Sequence, residues 1–543
     1  MSVMAACMFA AAAVLQTQPM SAQASRMTGM PRLEMRGAAT QLIVDDKPFL
    51  ALGGELNNSN ASSVEYMKSV WPSLVKMHLN TVIIPVSWEL LEPERGRFDF
   101  TLVDAMITSA RANRMKIVFL WFGTWKNSMS CYVPEWMKKD TAAYPRACSA
   151  EGKPQEIVSP FSAAALEADR TAFAALMKHI KAVDAAAHTV LMMQVENEIG
   201  MLPNARDHSP LGERAYAAQV PAELIGYLGA HEAKLQPELV QAWKNSGRKS
   251  AGTWEEVFGP GIQTEEYFMA WVFAKYTNSV AEAGKKEYAL PMFVNAALTK
   301  PGQTPGQYPS AGPLPHLIDI WKAGAPSVDM LSPDIYQKTF AAWITRFDCP
   351  GNPLFIPEVA NSQSPANAFY AFAAHNAMGY SPYSIESLDR PEDNEMSQAY
   401  SMLHDLTPLI LEGQTKGTLA GVLLDSAAQS AAITLGDYVF TIRHEYTWPY
   451  GSRREGETPR YGGMIIMLAP DEFYFAGTGL VVTFVPKNAP GRTAGIVRSD
   501  EGSFKNGAWV PVRRMNGDQT HQGRHINLPG FGFSMQRVKF YTY

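Results

Sequence analysis

From residue 40 to about 390 the chain alternates between short, continuous apolar runs and longer stretches whose apolar positions recur at helical spacing. The runs predicted as strands are FLALGGEL (49–56), NTVIIPVSW (80–88), KIVFLWFG (116–123), VLMMQVENE (190–198), MFVNAAL (292–298), VDMLSPDIY (328–336), PLFIPEVA (353–360) and AMGYSPYSI (377–385). Helices are predicted between them, for instance over 63–77, 100–114 and 161–183. The strand runs do not alternate polar with apolar, which is the mark of parallel strands buried on both faces. Eight such strands, each followed by a helix, predict an α/β fold of the (β/α)8 TIM-barrel type. A doubly wound open sheet gives similar local signals, but no glycine-rich phosphate loop follows the first strand.

Two departures from a minimal barrel stand out. Residues 201–263 form a helical insertion after the fourth strand, where barrel active sites form. After a last helix near 395–411 the pattern changes to short strands with Gly, Pro and Asn turns. Residues 413–543 are therefore expected to be a separate, sandwich-like all-β domain, leaving 25–412 to the barrel.

Composition narrows the class. Hydrophobic residues are 46% and charged residues 18% of the 543, which fits a globular protein. The net charge of −5, without a run of Lys and Arg, argues against a nucleic-acid partner. Residues 1–24 carry an apolar segment followed by Ala22-Gln23-Ala24, the pattern of a cleaved signal peptide, so export to the periplasm or beyond is expected. No later stretch is long and apolar enough for membrane insertion. Cys7 would leave with the leader. Cys131 and Cys148 could pair after export or remain separate thiols, as could Cys349. No spacing of Cys and His suggests a metal site, and no cofactor is implied.

Functional residues in a barrel cluster at the carboxyl ends of strands. The ends here carry Glu55, Trp88 with Glu89, Trp125 with Asn127, Asn197 with Glu198, Asn295, Asp334 with Tyr336, and Glu358. Glu198 and Glu358 each follow an apolar run, where a carboxylate is costly to bury unless paired or used. The fourth and seventh strands face each other across a barrel mouth. Two carboxylates about 5 Å apart there support glycoside hydrolysis with retention.

QVENEIG (194–200) resembles the acid/base segment of glycoside hydrolase family 35, the β-galactosidases. PEVA (357–360) stands where that family's nucleophile is expected, WELLEPERGRFDF (88–100) is similar to its stretch after the second strand, and VPEWM (133–137) to its segment after the third. The resemblance implies Glu198 as acid/base, Glu358 as nucleophile and Asn197 as the residue that holds the hydroxyl beside the scissile bond. In a regular pleat Glu196 and Glu198 would share a face, so placing both Asn197 and Glu198 in the pocket requires the strand to bulge or end there; otherwise Glu196 is a rival acid. Glu55, Trp125 and Asn127 are candidate sugar contacts, and Tyr336 is a candidate donor to Glu358. Two features depart from the family pattern: Pro85 stands where the family has a Tyr, and WFGTWKNSMS (121–130) where it has A-E-W.

The function implied is a retaining exo-β-galactosidase acting on carbohydrate, with galactosylated plant-wall side chains of the xyloglucan type as a candidate source. A β-arabinosidase or β-glucuronidase of a neighbouring barrel family is the alternative within enzymes. A non-catalytic carbohydrate-binding protein on a degenerate barrel is the alternative outside them. The oligomeric state is not implied by anything in the sequence.

Overall fold

The computed structural model describes residues 28–362, 365–444, 460–488 and 491–543; the expected signal peptide, residues 1–24 with Cys7, lies outside them. The barrel strands are β1 (Ala51–Leu52), β2 (Thr81–Ser87), β3 (Lys116–Lys126), β4 (Val190–Asn197), β5 (Met292–Ala297), β6 (Met330–Ile335), β7 (Ile356–Val359) and β8 (Gly379–Pro382). They pair in parallel in the order β1-β8-β7-β6-β5-β4-β3-β2. The ring closes where Ile83 donates to Gly54 O at 2.9 Å and Leu56 donates to Ile83 O at 3.1 Å. All eight residues of β4 are buried, as expected for a strand enclosed on both faces.

Strand β1 is shorter than its apolar run, because Gly53-Gly54 ends the regular ladder. A Cβ on Gly53 would stand 2.2 Å from Ser381 Oγ, so the close approach of β1 to β8 requires glycine. Outside the ring run α1 (Val64–Lys76), α2 (Thr101–Ala112), α3 (Ala163–Asp184), α4 (Ile262–Glu287), α5 (Ile318–Gly324), α6 (Phe340–Phe347), α7 (Ala366–Ala374) and α8 (Glu395–Lys416). Local chemistry sets several starts: the Ser63, Ser162 and Asn394 side chains accept from backbone N–H groups in the first turns of α1, α3 and α8.

Leu42, Val44, Ala51, Ile83, Val118, Leu120, Phe293, Met330 and Phe355 fill the interior as one cluster. Leu42 and Val44 come from an antiparallel sheet of Arg32–Arg36, Ala39–Val44 and Lys47–Phe49, which the sequence patterning did not anticipate. The stretch between β4 and α4 carries the helices Pro210–Tyr216, Ala222–His231, Pro237–Asn245 and Trp254–Phe258.

Gly417, in the left-handed region at φ +67°, ends α8 and turns the chain into the C-terminal domain. Its strands are β9 (Leu419–Leu424), β10 (Ser430–Leu435), β11 (Tyr438–His444), β12 (Tyr461–Ala469), β13 (Glu472–Thr478), β14 (Leu480–Pro486), β15 (Ala494–Lys505), β16 (Ala508–Arg514), β17 (Ile526–Leu528) and β18 (Ser534–Thr542). They form antiparallel sheets in the orders β9-β12-β13-β18-β15-β16 and β10-β11-β14-β17. Phe440, Phe473, Phe475, Phe484 and Phe540 pack among the apolar residues between these sheets. The outer face of the first sheet lies on α7, with Phe533 stacked on Phe369 at 5.1 Å between ring centroids.

Cys131, Cys148 and Cys349 are free thiols, so the pairing considered for Cys131 and Cys148 does not form. Among the described residues no helix is long and apolar enough to cross a membrane.

Candidate active site

The end of β4 does what the opposed demands on its side chains require. Glu196 (φ +60°) and Glu198 (φ +43°) both leave the β region, a conformation that costs a non-glycine residue about 1–3 kcal/mol and persists only where surroundings enforce it. The break in the pleat sends three consecutive side chains to different places. Glu196 turns into the barrel wall, where its Oε2 accepts the Trp125 N–H at 2.7 Å. Asn197 and Glu198 turn to the mouth. Glu196 is fully buried, and burial followed by the nearby Asp169 carboxylate pushes its pKa well above the ordinary glutamate range. Asp169 is fixed in turn by Trp121 Nε1 at 2.8 Å and Thr124 Oγ1 at 2.7 Å. Glu196 is a structural acid and does not compete with Glu198.

Glu198 and Glu358 meet across the mouth. One carboxylate oxygen from each of Glu198, Asp334 and Glu358 lies within 4.8 Å of the other two. Asp334 and Glu358 are direct partners in the β6–β7 ladder, which sets that spacing. Each of the pair has a dedicated donor: Asn127 Nδ2 donates to Glu198 Oε2, and the Tyr336 hydroxyl donates to Glu358 Oε1. The Glu198 backbone N–H donates to Asn295 Oδ1 at 2.9 Å, and Asn295 Nδ2 donates to Asp334 Oδ2 at 2.5 Å. Lys126 Nζ donates to Asn197 Oδ1 at 3.0 Å, while the buried Asn197 Nδ2 has no partner among the described residues and is available to a ligand.

Protonation divides the two carboxyls. Burial, then the charge on Glu358, pushes Glu198 from 4.5 up to about 7, against the pull of Lys126, Asp334 and Asn127. Glu358 is also raised by burial, but the Tyr336 hydroxyl, Lys126 and Glu55 all favour its ionised form. Glu55 and Asp334 are each 1% exposed and pushed well above the ordinary carboxylate range, by burial first and then by the Glu358 charge. Glu55 and Asp334, pushed toward their neutral forms, thus flank Glu358, whose donors favour its ionised form, and Glu198, raised to about 7. The trio of Glu198, Asp334 and Glu358 has spacing that could take a cation. Its oxygens already accept from an amide, a phenol and a second amide, donors that a metal would displace.

Of the residues expected from sequence, Glu55, Asn127, Asn197, Glu198, Tyr336 and Glu358 converge here. Trp125 does not. Its ring is fully buried behind β3, its Nε1 donates to Val158 O at 3.2 Å, and it packs edge-on against Phe273 and Tyr276. Its expected sugar contact is corrected to a wall position. Asn295 and Asp334 stand at strand ends where the sequence flags them, and Lys126 ends β3, yet only the structure links the three to the acid. Tyr383, at the end of β8, was missed altogether; burial, then the Glu358 and Glu55 carboxyls, push its pKa up to about 12.

Residues 59–271 match a family model described as Beta-galactosidase, that of glycoside hydrolase family 42. Residues 396–527 match one described as a domain of unknown function, DUF5597. A comparison with curated proteins finds no match. Among solved structures, the β-galactosidase of Rahnella sp. R3 aligns at 17% identity with a TM-score of 0.44, covering 67% of this chain and 57% of that one. The β-galactosidase of Bacillus circulans sp. alkalophilus aligns at 14% identity and 0.46, covering 67% and 57%. The β-mannanase of the blue mussel Mytilus edulis aligns at 13% identity and 0.41, covering 69% and 96%. The chain thus spans 57% of the length of those two β-galactosidases. The family model matched is 42, and the narrower assignment to family 35 finds no support. The chain is a (β/α)8 barrel joined to a C-terminal β domain, and residues 59–271 of that barrel are similar to a β-galactosidase family.

Proposed function

We propose that the protein is a retaining exo-β-galactosidase that releases terminal non-reducing β-D-galactosyl residues through a covalent glycosyl-enzyme. The observation that carries this reading is the approach of Glu198 and Glu358 oxygens to within 4.8 Å. Retaining glycosidases hold their carboxyls about 5–5.5 Å apart, while inverting ones leave about 6.5–9.5 Å for an intervening water.

In the first half-reaction Glu358 Oε bonds to the anomeric carbon while the glycosidic C–O bond breaks. The Glu198 proton passes to the departing oxygen, which keeps the bonding pair. In the second, water attacks the same carbon, gives its proton to Glu198, and the bond to Glu358 breaks. Tyr336 holds Glu358 oriented for attack, and Asn197 Nδ2 supplies a donor to the sugar hydroxyl next to the reacting carbon. A galactoside is proposed because the family model over residues 59–271 is that of a β-galactosidase.

The alternative of a uronoside substrate is disfavoured by charge. Lys126 is the cation acting on Glu55, Glu198, Asp334 and Glu358, and it already offsets the ionised Glu358. A sugar carboxylate would add an uncompensated charge in a buried site. Export, and plant-wall side chains as the galactoside source, are proposed on the leader-like N-terminus and the exo-acting reading. Proton NMR of nitrophenyl β-galactoside hydrolysis tests the mechanism: the β-anomer of galactose is expected first. Release of the α-anomer would overturn it.

A further inference from the structure

The hydrogen-bond pattern around Asp334 is over-determined. The backbone N–H of Glu198 donates to Asn295 Oδ1, which fixes the amide so that Nδ2 must face Asp334. Asn295 Nδ2 then takes Asp334 Oδ2 at 2.5 Å, leaving Oδ1. That oxygen is buried, has no donor from any described residue, and belongs to a side chain 1% exposed. A bare carboxylate oxygen there would bear the full cost of desolvation, in a side chain that has one oxygen within 4.8 Å of oxygens of Glu198 and Glu358, which are further acceptors. A proton on Oδ1 removes both costs.

We propose that Asp334 is a permanently protonated positioning acid that donates its O–H to the Glu198 carboxylate in the glycosyl-enzyme. The inference rests on the retaining reading above and assigns a role within it. Once Glu198 has given its proton to the leaving oxygen, it stands as a carboxylate that accepts from Asn127 on Oε2 and from the Asp334 O–H. Water then delivers its proton to Glu198, the C–O bond to Glu358 breaks with its pair returning to Glu358, and the Asp334 proton never leaves. Asn295 ties this acid to the Glu198 backbone, so carboxyl and main chain are held by one ring of bonds. The charged and titratable groups facing the pair are Glu358 from β7, Lys126 from β3, Glu55 beyond β1 and Tyr336 beyond β6.

The test compares Asp334→Leu and Asp334→Asn on a nitrophenyl β-galactoside over a pH series, with burst kinetics to follow the glycosyl-enzyme. Asp334→Leu is expected to slow breakdown of the intermediate about 10- to 100-fold, so that it accumulates, and to move the basic limb of kcat/KM up by about one pH unit. Asp334→Asn restores a donor and should recover most of both effects, which a purely structural role would not do. If Asp334→Leu does not fold, Asn295→Ala, which frees the ring, should reproduce the upward shift. A folded Asp334→Leu or Asn295→Ala enzyme with its basic limb unmoved and no added accumulation overturns the proposal alone. A wild-type protein inert on every β-glycoside overturns the underlying reading as well.

Discussion

Glu198 holds its proton partly because Glu358 is charged beside it, so Glu358→Gln, which removes the charge and nearly keeps the volume, should lower the Glu198 pKa. With oxygens within 4.8 Å, Coulomb's law at an effective dielectric of about 20 gives about 3.5 kcal/mol, or about 2.5 pKa units. Lys126, Asp334 and Asn127 beside Glu198 reduce this, so a fall of about one to two units from the starting value of about 7 is expected. The assay is carbon-13 NMR of δ-labelled glutamate, with the Glu198 resonance assigned by its loss in Glu198→Gln. In the wild type the same titration should appear as the basic limb of kcat/KM near pH 7, because the proton donor is lost as pH rises through its pKa. A Glu198 resonance that titrates at the same or higher pH in Glu358→Gln would refute the claim that the two groups are coupled through charge.

Three further outcomes follow from the same geometry. Glu358→Gly should fold but not turn over, and azide should restore turnover with an α-galactosyl azide as product; full activity without azide would remove Glu358 as nucleophile. Tyr336→Phe deletes a hydrogen bond to a charged group and should lower kcat about 10- to 150-fold, with KM little changed; a change confined to KM would assign Tyr336 to ground-state binding. Glu198→Gln should be more stable than wild type at pH 8 by about 3 kcal/mol, the linkage for a carboxyl raised from 4.5 to about 7. Because the folded pKa is the higher one, the wild type is fully stable below 4.5 and loses this increment as pH rises through 7, so urea unfolding should show no gain near pH 4.

The barrel was legible because parallel strands enclosed on both faces need unbroken apolar runs, and β2 to β4 supply them without ambiguity. Glu198 and Glu358 were legible because each is a charge at the end of such a run. Parity left two options at Glu196–Glu198, a broken pleat with Asn197 and Glu198 both at the mouth or a regular one with Glu196 as the rival acid, and the positive φ angles there decide for the break. Parity also explains what was misplaced. The β3–β4 register shifts between Trp121 and Lys126, so alternation counted from the apolar run does not say which way Trp125 faces. The sheet of residues 32–49 was not anticipated: its strands are short and partly polar. Asp334 and Asn295 carried no role in the sequence because theirs is a contact between three strands. The short strand-end motifs point to barrel glycosidases in general and do not separate family 35 from 42.

Helix α7 bears on how the molecule can be dissected. Its sequence, ANAFYAFAA, has no charged residue, and seven of its nine side chains are buried. On one flank lies the ring of strands; on the other lie β9 and β12, so close that a Cβ on Gly421 would stand 2.8 Å from the Ala374 nitrogen. Truncation after Gly417 would leave Phe369 and its alanine neighbours facing water, directly behind the strand that carries Glu358. A catalytic fragment trimmed to the barrel alone is therefore a poor expression target: the last 126 residues act as the missing half of an inner surface.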